Sequence, residues 1–75
     1  MEEKIIEILN EIKSGVDYKN EKGIVDNGVL HSFDIITLVR KLSDEFDVEI
    51  TAAELLPENF NSVEAIAEMI EDLED

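Results

Sequence analysis

Aliphatic side chains recur along this chain with the spacing of amphipathic helices, and this pattern constrains the fold more than any other feature. The clearest stretch runs from about Ser32 to Phe46, where apolar positions fall on one arc at roughly 100° per residue. Such a helix buries one face against other helices and leaves the opposite face in water. The apolar positions of this predicted second helix are Ile35, Leu38, Val39, Leu42 and Phe46.

The same period appears near both ends of the chain. A first helix is predicted from Glu2 to Ser14, with Gly15 as the residue that stops it. A last helix is predicted to begin after a cap supplied by Asn61 or Ser62. Its apolar face contains Val63, Ile66, Ala67, Ile70 and Leu73.

Two segments lack a long helical pattern. Residues 16–31 contain glycines and scattered apolar side chains, which predict one long connection packed across the helices. Thr51 and Glu54 have capping-box spacing and predict a short helical turn, which Pro57 limits. We therefore expect an all-α fold, a small four-helix bundle with three main helices and one short helix. A long loop should join the first and second helices. The whole chain, residues 1–75, should form a single domain.

Charge narrows the range of partners. Six Lys and Arg against 20 Asp and Glu give a formal net charge of −14, which repels phosphate backbones and anionic membrane surfaces. We expect no nucleic-acid partner, no membrane insertion, and protein partners with basic surfaces. The chain has no Cys, no signal-peptide pattern and no apolar run long enough to span a bilayer, so a cytoplasmic location is predicted. The sequence leaves the oligomeric state open, with a monomer favoured.

Ser32 lies where the long loop meets the second helix, beside backbone N–H groups that have no partner inside the helix. One interpretation is an ordinary N-cap, a position that serine favours. In the other, the hydroxyl is reachable, because Ser32 falls at the edge of the buried arc. Phe33 and Ile36 project outside that arc beside Arg40 and form a docking surface, unless Phe33 folds under the loop or Ile36 is scattered surface hydrophobicity.

Residues 26–36, DNGVLHSFDII, resemble the phosphopantetheine attachment segment of the acyl and peptidyl carrier proteins. The length, the acidity, the loop before the serine, the stretch DEFDVEI at residues 44–50 and the closing helix are similar to that family across nearly the whole chain. The resemblance implies that a phosphopantetheinyl transferase joins 4′-phosphopantetheine from coenzyme A to Ser32. The protein then carries acyl or aminoacyl groups as thioesters for enzymes of lipid, polyketide or nonribosomal peptide biosynthesis.

The resemblance also implies a partner-binding surface around the serine. Acyl-loading and acyl-transfer enzymes with basic docking surfaces are the expected partners. In place of the Asp and Leu that typically flank the serine of acyl carriers, this chain has His31 and Phe33, and peptidyl carriers often have His before the serine. The residues expected to contact partners are His31, Phe33, Asp34, Ile36, Arg40 and Asp44.

Other chemistries have weaker support in the sequence. His31 is the only His, and adjacent residues at a helix start point in different directions, which disfavours a Ser–His nucleophile pair. Aligning Gly23 or Gly28 with the glycine of an EF-hand loop puts Tyr18 or Gly23 at the first ligand, so no metal site is predicted. The remaining alternative is a noncatalytic acidic adaptor that binds a basic partner without a prosthetic group.

The charge gives a first testable prediction. Because self-repulsion among the carboxylates opposes folding, added salt is expected to raise the melting temperature, and mild acidification should act in the same direction. Thermal unfolding followed by circular dichroism between low and high sodium chloride measures this effect. A melting temperature that falls with added salt would contradict the prediction.

Overall fold

Four α-helices make up the bundle in the computed structural model, which describes residues 1–74. The last residue of the predicted domain lies outside this range. The predictions of an all-α fold and of a long loop before the second helix are confirmed, and residues 1–74 contain no strand. The helices are α1 (Glu2–Ile12), α2 (Ser32–Phe46), α3 (Pro57–Phe60) and α4 (Val63–Glu74), with one turn of 3₁₀ helix at Ala52–Glu54.

The first helix ends earlier than predicted. Lys13 has an extended backbone (φ −148°, ψ 109°), so the expected end at Ser14 was wrong by two residues. The carbonyl of Lys13 accepts a hydrogen bond from the Tyr18 hydroxyl at 2.5 Å and is therefore engaged by the loop. Gly15 does not end the helix but turns the chain beyond it, with φ +86°.

Side chains from all four helices and the loop, most of them aliphatic, form the core. α1 packs against α2 and α4, and α3 packs against α4. The predicted faces of the helices are the ones that the structure buries, and Ile24 and Leu30 bring the loop into the same core, as expected. The fully buried large side chains are Tyr18, Phe60, Ile5, Leu9, Ile24, Leu38, Leu42, Ile66 and Ile70.

Tyr18 is the one aromatic side chain that the loop contributes to this core. Its ring is buried near the C-terminal end of α1, where the hydroxyl finds its partner on Lys13. Burial raises the pKa of Tyr18 above its ordinary value of 10.0, and the negative charge of Asp34 adds to the rise.

The segment after α2 contains two short helical turns rather than one. Thr51 caps the 3₁₀ turn, and hydrogen bonds from its hydroxyl and its backbone N–H lower the pKa of Glu54. Leu56 is extended, as expected before a proline. Pro57 then begins α3, so the expectation that it only limits one short helix was incomplete. A fixed φ and a missing N–H suit the first position of a helix.

Ser62, rather than Asn61, is the N-cap of the last helix. Its Oγ accepts a hydrogen bond from the backbone N–H of Ala65 at 3.0 Å. Asn61 binds the long loop instead. No helix within residues 1–74 is both long and apolar enough to cross a membrane.

Paired leucine substitutions test where the core lies. Leu42 is fully buried on α2, whereas Leu55 is 47% exposed beside the 3₁₀ turn. We expect Leu42→Ala to lower the free energy of unfolding by about 2–4 kcal/mol because it leaves a cavity, and Leu55→Ala to lower it by less than about 1 kcal/mol. Urea denaturation at fixed ionic strength measures both variants, and equal losses would contradict this description of the core.

Candidate functional site

Ser32 is the first residue of α2 and is exposed to solvent. The preceding residue, His31, occupies the N-cap position with an extended backbone (φ −101°, ψ 177°), so the interpretation of Ser32 itself as the cap is wrong. The Oδ2 atom of Asp34 accepts a hydrogen bond from the His31 backbone N–H at 3.0 Å. This end of the helix is thus capped without using the serine, which remains accessible.

A single asparagine at the junction of α3 and α4 holds the loop that leads to Ser32. Asn61 Oδ1 accepts hydrogen bonds from the backbone N–H groups of Val25 and Asp26, both at 3.0 Å. Asn61 Nδ2 donates to the Asp26 carboxylate at 3.1 Å, and the Asn61 carbonyl accepts from the Ile24 N–H at 2.9 Å. We name these four hydrogen bonds the Asn61 clamp.

From the clamp the chain runs to Ser32 in a short, well-anchored turn. Gly28 has φ +72°, a left-handed conformation that glycine adopts without strain. The Leu30 N–H donates to the Ile24 carbonyl at 3.1 Å, and the Leu30 side chain is buried in the core. Ser32 therefore begins its helix two residues after a buried anchor.

An open, mostly apolar groove of about 290 Å³ lies beside Ser32. One wall comes from the start of α2 and the other from the segment that leads into α3. Leu55 and Leu56 are each 47% exposed, although they are large and apolar. The lining residues are Val25, Ser32, Ile35, Ile36, Leu55, Leu56, Pro57 and Phe60.

The predicted partner-contact residues lie at the start and along the outer face of α2. Phe33 is 84% exposed and Ile36 57% exposed, so the alternative in which Phe33 folds under the loop is wrong. His31, Arg40 and Asp44 are exposed, whereas Asp34 is half-buried. Of these six residues only Ile36 lines the groove together with Ser32.

Sequence reasoning missed three residues that contribute to the site. Leu55 and Leu56 form part of the groove, and the signal was present: two adjacent leucines before a proline fit no helical face. The role of Asn61 in holding the loop was also missed, because its position before the last helix suggested a cap. Nothing in the sequence pairs Asn61 with residues 24–26, which are more than 30 positions away.

The acidic side chains outside this site lie on the surface of the protein. Glu11 pairs with Lys41 at 3.3 Å between α1 and α2, and Glu64 pairs with Lys22 of the loop, which lowers the pKa of Glu64. Within residues 1–74, no group of three or more His, Asp or Glu side chains is placed to hold a metal ion.

A small helical bundle that presents one accessible serine at a helix start has the architecture of a carrier domain. A family model described as "Phosphopantetheine attachment site" matches residues 3–70. Aminoacyl carrier protein 1 and aminoacyl carrier protein 2 of Bradyrhizobium diazoefficiens are each 36% identical to this chain over 63 residues. These matches cover 84% of this chain and 69% and 70% of the two relatives.

The chain therefore belongs to the phosphopantetheine-attachment family of carrier proteins. The cofactor of this family is 4′-phosphopantetheine, which is covalently bound through a phosphodiester. The region around Ser32 fits such a group on two counts. The first turn of α2 carries the positive end of the helix dipole, which favours an anion, and the neighbouring groove offers apolar surface.

The Asn61 clamp gives a testable prediction about this region. Asn61→Ala removes three side-chain hydrogen bonds and leaves two backbone N–H groups of the loop without their acceptor. We expect stability to fall by about 1–3 kcal/mol and the amides of Val25 and Asp26 to exchange faster with deuterium. The matched control is Asn10→Ala on the exposed side of α1, which should change neither. Unchanged exchange at Val25 and Asp26 in the Asn61 variant would contradict the clamp.

Proposed function

We propose that Ser32 is the attachment point for 4′-phosphopantetheine and that the chain carries acyl or aminoacyl groups for partner enzymes. The observation that carries this proposal is the accessibility of Ser32 at the first position of α2, with the helix capped by its neighbours instead. The match to the attachment-site family spans this position. Nucleophilic attack on a phosphate requires a hydroxyl that a second enzyme can reach, and Ser32 satisfies that condition.

The modification is a phosphoryl transfer to the serine oxygen. The Ser32 hydroxyl attacks the phosphorus on the pantetheine side of the coenzyme A diphosphate, and a new P–O bond to the serine forms. The bond from that phosphorus to the bridging oxygen breaks, and the adenosine nucleotide leaves with the other phosphate. The hydroxyl proton passes to a base of the phosphopantetheinyl transferase.

The contribution of this chain is to hold and present rather than to catalyse. The prosthetic group supplies a terminal thiol that binds cargo as a thioester. The first turn of α2 would stabilise the phosphodiester through the helix dipole, although the nearby Asp26 and Asp34 would oppose it. The loop anchors fix Ser32 on a rigid body, which gives the tethered cargo a high effective concentration near a docked enzyme.

Aminoacyl groups are the cargo class that we propose first. Both similar proteins are named aminoacyl carrier proteins, and His31 replaces the Asp typical of acyl carriers. The partners are then a phosphopantetheinyl transferase, an enzyme that loads the amino acid, and an enzyme that accepts it. Fatty acyl and polyketide cargoes are the competing possibilities within the same function.

Intact-mass measurement tests the attachment directly. After incubation with coenzyme A and a broad-specificity phosphopantetheinyl transferase, we expect the mass to rise by one phosphopantetheine group. Ser32→Ala should abolish the increase, whereas Ser14→Ala, which removes another exposed serine, should leave it intact. Peptide mapping should place the modification on Ser32.

Two results would overturn the proposal. A protein that folds but gains no mass would favour the alternative function, a noncatalytic acidic adaptor that binds a basic partner. A mass increase that persists in Ser32→Ala would place the prosthetic group on another residue. Circular dichroism of each variant shows that the comparison is made between folded proteins.

A further inference from the structure

The loop between α1 and α2 contains the only Asn–Gly pair of the sequence, Asn27 and Gly28, and the carrier function makes no use of it. Both residues are exposed to solvent. In such a pair the backbone nitrogen of the glycine lies next to the side-chain amide of the asparagine and can attack it. Glycine favours this reaction because no Cβ hinders its nitrogen and its backbone turns freely. The pair is therefore a candidate site of self-modification.

The folded loop holds the Asn27 side chain in place through one carboxylate. Glu21 Oε2 accepts a hydrogen bond from Asn27 Nδ2 at 2.9 Å and another from the backbone N–H of Gly23 at 3.1 Å. The backbone N–H of Asn27 donates to the Gly23 carbonyl at 2.7 Å. Glu21 thus fixes the orientation of the amide that the reaction has to turn.

Gly23 leaves the space that this amide fills. A Cβ added at Gly23 would lie 2.5 Å from Asn27 Nδ2 and 2.9 Å from Asn27 Cγ. All three of the atoms nearest to that position belong to the Asn27 side chain. Gly23 does not have the left-handed backbone of Gly28, so an added methyl group would displace the Asn27 amide rather than strain the chain.

The attacking nitrogen is restrained as well. The Gly28 N–H donates to the Val25 carbonyl at 3.0 Å. The Val25 N–H is in turn held by Asn61 in the Asn61 clamp. Because the nitrogen must lose its proton before it attacks, the reaction requires this turn to open.

We infer that Asn27 is a site of spontaneous deamidation to aspartate and isoaspartate, which Glu21 and the turn at Gly28 suppress while the loop is closed. The deprotonated Gly28 nitrogen attacks Asn27 Cγ, and the new N–C bond closes a five-membered succinimide. The Cγ–Nδ2 bond breaks and releases ammonia, which takes up the proton. Water then opens the ring: attack at Cγ gives aspartate, and attack at the main-chain carbonyl gives isoaspartate.

Either product changes the segment that leads to Ser32. Both add a negative charge beside Asp26, and isoaspartate also adds a methylene to the backbone between the Asn61 clamp and the buried anchor Leu30. The reaction itself needs only water, so it is independent of any prosthetic group on Ser32.

Peptide mapping of protein stored in mildly alkaline buffer tests this inference. The mass of the peptide that contains Asn27 reports deamidation, and methyl labelling by an isoaspartyl methyltransferase reports isoaspartate. We expect slow conversion of the folded protein and conversion at least about tenfold faster in urea, where the contacts of the loop are lost.

Two substitutions free the amide by different routes. Glu21→Ala removes its acceptor, and Gly23→Ala occupies its place. Each should raise the rate at Asn27 in the folded protein by about fivefold, the loss expected for one hydrogen bond. Glu21→Gln, which keeps one acceptor oxygen, should fall between Glu21→Ala and the unmutated protein. In urea all of these proteins should convert Asn27 at the same rate.

The matched control is Asp17→Ala. Asp17 Oδ2 accepts a hydrogen bond from Asn20 Nδ2 at 2.7 Å, so this variant frees another exposed asparagine, but the residue that follows it is Glu21. Asn20 should stay intact, and the rate at Asn27 should stay within about twofold.

Three results would overturn the inference. They are equal rates for the folded and urea-unfolded protein, an unchanged rate in folded Glu21→Ala or folded Gly23→Ala, and conversion that maps to Asn20 instead of Asn27. Circular dichroism identifies the variants that fold. If Gly23→Ala does not fold, the comparison of Glu21→Ala with the unmutated protein decides the matter.

Discussion

Burial of aliphatic side chains between α1, α2 and α4 holds this chain together against the repulsion of its own carboxylates. Within residues 1–74 no charged side chain is buried, so these acidic residues lie where water and salt screen them. A chain of 75 residues buries a small core, and each fully buried Leu or Ile represents a large share of its stability. The position of Ser32 depends on this packing, because the buried face of α2 fixes the direction of its first turn.

The loop between α1 and α2 is packed into that core. Tyr18, Ile24 and Leu30 are buried along it, and the Asn61 clamp ties its middle to the junction of α3 and α4. The segment before Ser32 is consequently part of the packed structure, although it contains no helix. The serine is thus both accessible and fixed, a combination that suits a residue modified by one enzyme and presented to others.

The sequence predicted the helices well because their apolar residues repeat with one period. Helix ends were predicted less well where tertiary contacts decide them: the Tyr18 hydroxyl takes the carbonyl of Lys13, and Pro57 begins a helix of its own. The serine and the exposed side chains of Phe33 and Ile36 were predicted from helical phase. Their neighbours across the groove were not, since Leu55 and Leu56 reach Ser32 only through the fold.

Because the loop is held mainly through its backbone, carriers of this kind can change loop side chains and keep the same fold. Three of the four hydrogen bonds of the clamp use backbone N–H groups, at Ile24, Val25 and Asp26, and only the fourth needs a loop side chain, the Asp26 carboxylate. An exposed loop position outside these contacts, such as Lys19, can therefore vary as long as the buried anchors persist. A lineage of such proteins has room to change its surface near Ser32 without rebuilding the scaffold.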